Sequence, residues 1–424
     1  MTNHQLVRLV RESGLSNAEF ARATARALHA RYGTVHAYDQ SSTGRWLRGA
    51  RPDPDAQNAM AALLTERLGR PVTIEDLGFD VEWGIGDLLP TSTQQEEPDP
   101  MDPLNRRRAL TLLAAAPLLA ELPAAMASAR AKPVSLAGEG DAVAIRQAAR
   151  ELLQLDTRFG GACVHQAAAS MYTDLAEPML SAGRPAPSVF AAAGYLAQVA
   201  GYTAQDASDL NGAGMWLRRA AKLAAAGGDQ LVRAGAMTDL ALTAVSAGHA
   251  ADGAQIAEAA AILPGLPGPY RARAYAAAAR AYGRLGRADE VRRCDDLAVA
   301  AIGSRGEDGA PADTLAFYTA EHLASELSYA YADVDPVRAL DEVERSGASP
   351  VGMPRRRMAI AATTARALLA QGEFYAALPH ARIALQGQAA LPRSARAREH
   401  AVQLRGALEP FKSCPGVVEL LAAR

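Results

Sequence analysis

Residues 38–53 read YDQSSTGRWLRGARPD. Asp39 or Gln40 opens a short helix whose front carries Gln40, Ser41, Ser42 and Arg45. Two large apolar residues, Trp46 and Leu47, stand behind that front, and Arg48, Gly49, Arg51 and Pro52 close the stretch. Gly49 is the kind of residue that ends a helix, because glycine adopts the left-handed conformation at a C-terminus without strain. A polar front, an apolar anchor and a glycine stop suit a helix that enters a groove of duplex DNA.

The flanking sequence supplies a bundle to hold such a helix. Residues 4–12, HQLVRLVRE, place Leu6, Val7, Leu9 and Val10 on one helical side and Arg8, Arg11 and Glu12 on the other. Ser16 and Glu19 form a capping-box pattern at the start of the next helix, with Phe20, Ala21, Ala25 and Leu28 as its buried stripe. Residues 55–68 repeat the pattern with Met60, Leu63, Leu64 and Leu68. After them Pro71 breaks the helix, and Thr73 caps a short turn that holds Leu77 and Phe79 against the bundle. Charge is concentrated on the quoted stretch. Residues 22–51 hold six arginines (22, 26, 31, 45, 48 and 51) against one acid, Asp39, whereas residues 1–80 as a whole hold ten arginines and nine acids.

The combination of LSNAEFARA with QSSTGRWLRGARP resembles the lambda-repressor-like helix-turn-helix family, of the Cro and xenobiotic-response-element type. The resemblance covers about residues 4–80. It implies that Gln40, Ser41, Ser42 and Arg45 face base edges, that Thr43, Trp46 and Leu47 pack inward, and that Asn17 and Arg48 contact phosphate. Gln40 and Arg45 have the geometries that suit adenine and guanine edges. The sequence departs from the family in one respect. The link between the two motif helices is longer by roughly two helical turns, so either the second helix is extended or a loop spans residues 31–38, carrying Arg31 and His36 beside His29.

Residues 1–80 therefore read as a helix-turn-helix domain, 81–104 as an acidic, proline-rich linker, 105–135 as a connecting apolar helix and 136–424 as a helical repeat domain. Arg106, Arg107 and Arg108 followed by ALTLLAAAPLLAELPAAMASA imitate a twin-arginine export signal. The segment lies about a hundred residues into the chain, behind a predicted domain, and Pro117 interrupts its apolar core, so a buried helix is expected and no membrane span. Beyond residue 139 helices follow one another. ALTAVSAGHAADGAQIAEAA, ARAYGRLGRADEVRRCDDLA and ARALLAQGEFYAALPHARIA superpose with Gly248, Gly286 and Gly372 in register. The first two glycines are 38 residues apart and the last two 86, close to two periods plus an insertion around 303–312. The pattern resembles tetratricopeptide repeats, helix pairs that bury their faces only against neighbours. The fold class expected is all-α: a helix-turn-helix bundle, a linker and a tetratricopeptide-like α-solenoid.

Composition excludes several other classes. A net charge of −2 rules out a polycation, so any nucleic-acid site is local. Alanine is abundant and aromatics make up 5%, which favours close helix packing over a β-rich core. Cys163, Cys294 and Cys414 are too few and too scattered for a disulfide framework or zinc finger, and fit a reducing cytoplasm. No phosphate loop, zinc-protease motif or dinucleotide fingerprint is present. Neither an enzyme nor a cofactor or metal is expected, and Glu321-His322 reads as an ordinary helix pair. Tyr195, Tyr202, Arg271, Tyr275, Tyr282, Tyr318 and Tyr329 could line a concave face, with packing the commoner use of such tyrosines. Arg355, Arg356 and Arg357 read as an exposed basic cluster or a solvated face.

The layout resembles the peptide-pheromone receptors of Gram-positive bacteria and similarly built regulators of actinobacteria. That implies a cytoplasmic, homodimeric, sequence-specific transcriptional regulator that binds double-stranded DNA, with a repeat domain that takes a peptide or small-molecule signal. The alternative is a protein-interaction scaffold whose helix-turn-helix no longer binds DNA.

Overall fold

The computed structural model describes residues 3–32, 38–48, 50, 52, 54–70, 72, 75–79, 138–181, 185–303, 318–347 and 353–422. Every regular element among them is helical, and the chain divides into two compact units, Met1–Glu82 and Trp83–Arg424.

The first unit contains α1 (His4–Glu12), α2 (Asn17–Tyr32), α3 (Gln40–Leu47), α4 (Pro54–Leu68) and a single 3-10 turn, Glu75–Leu77. Leu6, Leu9, Phe20, Leu28, Met60, Leu64 and Leu77 are fully buried at its centre, with Trp46 and Phe79 beside them. The predicted capping box is present: Ser16 N–H and Oγ donate to Glu19 Oε2, and Glu19 N–H donates to Ser16 Oγ. The buried side of α2 differs slightly from the predicted stripe, since Ala25 is half-buried whereas Ala23 and Thr24 are buried. Of the long link, residues 31 and 32 belong to α2, which ends at Tyr32. Residues 33–37, Arg51, Pro71 and Thr73 lie outside the described residues, as does the side chain of Arg31.

In the second unit the helices are α5 (Glu139–Phe159), α6 (Gly161–Met171), α7 (Glu177–Ser181), α8 (Pro187–Asp206), α9 (Leu210–Ala226), α10 (Gln230–Ser246), α11 (Ala250–Ala261) and α12 (Gly268–Arg284). They continue as α13 (Ala288–Gly303), α14 (Ala320–Tyr331), α15 (Pro336–Arg345), α16 (Pro354–Ala370), α17 (Phe374–Ala389), α18 (Ala395–Leu408) and α19 (Pro415–Ala422). The linker at 81–104, the apolar segment at 105–135 and residues 304–312 of the predicted insertion lie outside the described residues. A π-helical turn, Tyr172–Ala176, joins α6 to α7. No helix among the described residues is long and apolar enough to cross a membrane.

From α8 to α18 consecutive helices pack on one another, and alternate helices also touch: α8 on α10, α10 on α12, α12 on α14, α14 on α16 and α16 on α18. The last of this inner row also meets the first, because α18 contacts α8. Small residues permit the close approach. A Cβ added to Gly283 on α12 would run into the carbonyl of Ala330 on α14.

The predicted register of glycines corresponds to one recurring turn. Gly248, Gly286 and Gly372 all have positive φ, and each turn makes the same two bonds back to its helix. Gly248 N–H donates to Val245 O and His249 N–H to Ala244 O; Gly286 with Arg287, and Gly372 with Glu373, repeat this. Between α8 and α9 the same turn is built on Ser208, at φ 71°, the sole non-glycine with positive φ among the described residues.

The closure of α8 on α18 is made by charge. Asp206, at the end of α8, has no exposed side-chain surface. It accepts from Ser394 Oγ (2.6 Å), Arg355 (2.9 Å), Arg396 Nε (3.1 Å) and the backbone N–H of Gly161 (2.9 Å). Asp156 of α5 takes the remaining arms of Arg355, the closest at 2.6 Å, and Arg396 stacks 4.0 Å over the ring of Tyr202. Arg355 is thus an internal ion-pair partner and not part of an exposed basic cluster. Arg356 donates to the carbonyl of Glu321, and of the three only Arg357 is exposed. The sequence showed a basic run but not the two acids, 149 and 199 residues away, that absorb it.

Candidate nucleic-acid interface

The start of α3 is fixed by Asp39. Its carboxylate accepts from Ser41 Oγ (2.7 Å), Ser42 N–H (2.8 Å) and Ser42 Oγ (2.9 Å), a capping arrangement that satisfies helix-end donors. Gln40 and Ser41 are exposed, although the Ser41 hydroxyl is engaged by Asp39. Ser42 is 5% exposed and committed to the cap, so the structure removes it from the set that could face bases. Arg45 and Arg48 are both exposed.

The rear of α3 is anchored at three points. Thr43, fully buried, donates from Oγ1 to the carbonyl of Asn17 at 2.9 Å, which fastens α3 to the first turn of α2. Trp46 is 5% exposed and meets Tyr38 edge-on, with ring centroids 4.9 Å apart. Leu47 packs against the core, and its carbonyl accepts from Asn3 N–H at 2.9 Å. Asn3 also donates from its side chain to Leu77 O at 2.8 Å and caps α1 through Leu6 N–H. Sequence reading missed Asn3 and Tyr38, and the only signal for Asn3 was an asparagine directly before an amphipathic run.

The exposed side thus presents Gln40, Arg45 and Arg48, with Arg22 and Arg26 exposed on α2. The side chains of these five residues make no hydrogen bond or ion pair with any described residue. The half-buried Asn17 sits where α2 meets α3. Elsewhere on the unit, by contrast, Arg8 and Arg70 both pair with Glu12. Exposed guanidinium groups that are not held in an ion pair, such as those of Arg45 and Arg48, are available to an external anion.

Asp39 makes this face sensitive to acid. The Ser41 hydroxyl first, then the Ser42 N–H and hydroxyl, hold its carboxyl down at about 2. A depressed carboxylate adds stability above its ordinary pKa and loses it as pH falls through the folded value. Between about pH 4 and pH 2 the start of α3 should loosen in wild type. Asp39→Asn should lack that acid-dependent component. Acid titrations of the two followed by circular dichroism check this, and coincident curves would contradict it.

The tyrosines proposed to line a concave face of the second unit divide. Tyr195 and Tyr318 are buried packing residues, while Tyr202, Tyr275, Tyr282 and Tyr329 are half-buried, as is Arg271. Tyr318 and His322 form a ring contact, and no group of three His, Cys, Asp or Glu among the described residues is placed to hold a metal. Cys294 is buried, which pushes its thiol up to about 11, and none of the three cysteines is in a disulfide.

None of the curated proteins and none of the solved structures compared matches this chain. A family model described as the SP15 N-terminal domain matches residues 6–80, under a fifth of the chain and nearly the whole of its first compact unit.

Proposed function

We propose that the chain is a sequence-specific DNA-binding transcriptional regulator. Its first unit acts as a helix-turn-helix head, and its second as a tetratricopeptide-like α-solenoid that carries the head and takes a partner or signal. The observation that carries this reading is the front of α3, where Gln40, Arg45 and Arg48 stand exposed on a helix whose rear is fastened by Thr43 and Trp46. A base-reading helix needs this combination, since side chains discriminate bases only when the backbone under them is held still. The net charge of −2 does not oppose it, because the positive charge required is local. As a homodimer the protein would set two such helices about 34–36 Å apart on a near-palindromic site.

The reading separates two kinds of arginine. Arg45→Ala or Gln40→Ala should leave the fold intact and reduce preference for the selected site over random duplex by about 5- to 150-fold, the range that 1–3 kcal/mol of base discrimination gives. Arg48→Ala should weaken binding to both duplexes alike and reduce the salt slope by about one. Fluorescence anisotropy with the two labelled duplexes distinguishes these results. If all three variants bind like wild type, α3 is not the reading element. If wild type binds neither duplex at low salt, the chain is a scaffold and not a regulator.

A further inference from the structure

The inner row of the second unit carries a second feature, independent of the DNA reading. Glu399, on α18, reaches across to helices 115 to 153 residues earlier in the chain. Its Oε1 accepts from Arg284 at 2.7 Å and Arg280 at 3.4 Å, and from Gln403 of its own helix at 3.2 Å. Its Oε2 accepts from Ser246 Oγ, at the end of α10, at 3.2 Å. Both carboxylate oxygens are therefore held, by donors from three helices. The three principal side chains keep some solvent contact: Glu399 is 23% exposed, Arg280 21% and Arg284 29%.

We propose that Ser246, Arg280 and Arg284 form a carboxylate-binding site on the inner row, and that the site is occupied in cis by the chain's own Glu399. Two features distinguish it from an ordinary surface ion pair. First, all the donors but Gln403 sit on α10 and α12, outside the helix that brings the acid, and Arg284 is also placed by Asp333 at 3.8 Å. A pair of guanidinium groups and a hydroxyl aimed at one point is the makeup of a carboxylate receptor. Second, α18 is seated independently of Glu399, because Ser394 and Arg396 fix its start to Asp206. Removing the Glu399 side chain leaves the receptor assembled and vacates a space the size of an acetate ion. The electrostatics agree. Burial alone would raise the Glu399 pKa, but Arg280 foremost, then the neighbouring His400 and Arg284, with the Ser246 hydroxyl, hold the group down at about 2, so the site prefers an anion. A carboxylate arriving on a free acid or on an acidic peptide side chain would compete with Glu399 and free this face of α18.

The test uses the full chain with Glu399→Ala. Its thermal midpoint should lie below wild type and should climb with added sodium acetate, but not with sodium chloride at equal ionic strength. Above the dissociation constant, each tenfold rise in acetate should raise the folding constant about tenfold. N-acetyl-glutamate amide in place of acetate tests a peptide side chain as the source, and the ligand effective at lower concentration identifies which source the site prefers. Adding Arg280→Ala to the variant should abolish the rescue. If acetate and chloride act alike, or if the double variant is rescued as well as the single, the proposal is wrong. Should Glu399→Ala not fold in chloride, refolding it in sodium acetate reads the same rescue, and failure to fold in either salt contradicts the proposal.

Discussion

Asp206→Ala should destabilise the second unit by about 3–5 kcal/mol, the cost of leaving buried charge without its partner. The side chain is completely buried at the junction of α5, α6, α8, α16 and α18. Its loss would leave Arg355 and Arg396 with Asp156 alone, and would leave the Ser394 hydroxyl proton and the Gly161 N–H without their acceptor. Burial by itself would raise the Asp206 pKa, yet Arg396, Ser394 and Arg355 together hold it well below the usual carboxylate range. The sign of the pH effect follows. The stabilisation is complete above the ordinary carboxylate pKa and is withdrawn as pH falls below about 4. Urea titrations of wild type and variant at neutral pH give the difference directly. A loss under about 1 kcal/mol, the size of a surface ion pair, would show that the closure of α8 on α18 is not held by this cluster.

Trp46→Ala should cost the first unit about 3–5 kcal/mol, the range for truncating a buried aromatic. The indole is 5% exposed, contacts Tyr38 edge-on and lies in the same core as Phe20, Leu28 and Met60. A unit of this size has roughly 4–12 kcal/mol to lose in total, so the variant should melt the head at or near ambient temperature while the second unit keeps its own transition. It should therefore abolish DNA retardation through unfolding, whereas Arg45→Ala should reduce preference in a head that stays folded. Calorimetry of the full chain separates the cases. An unchanged first transition in Trp46→Ala would mean that the indole does not anchor α3.

Local features were the legible ones. Ser16 with Glu19, the Asp39 start of α3, and Gly248, Gly286 and Gly372 were all readable because each acts within a few residues of itself. Ser42 was misread for a related reason. Its polarity suited an outward face, but at the third helical position a serine beside Asp39 turns back to the cap. Ser208 was invisible as a turn residue because side-chain-bearing residues rarely adopt positive φ. The π-helical turn at Tyr172–Ala176 leaves no mark on apolar periodicity. The Asp206 cluster and the Glu399 bridge join residues more than a hundred positions apart, and nothing in the spacing of single acids and arginines indicates which will meet. Sequence therefore located the exposed face of α3 closely, and could not show how the inner row closes.

Whether α3 meets DNA is tested directly by one titration. The full chain is first used to select duplexes from a random pool, and its affinity for the selected duplex is then measured between about 50 and about 200 mM salt. The expected result is an enriched sequence family and a linear fall of log affinity with log salt, with a slope near −0.9 for each phosphate neutralised. No enrichment, together with no binding at the lowest salt, would contradict it.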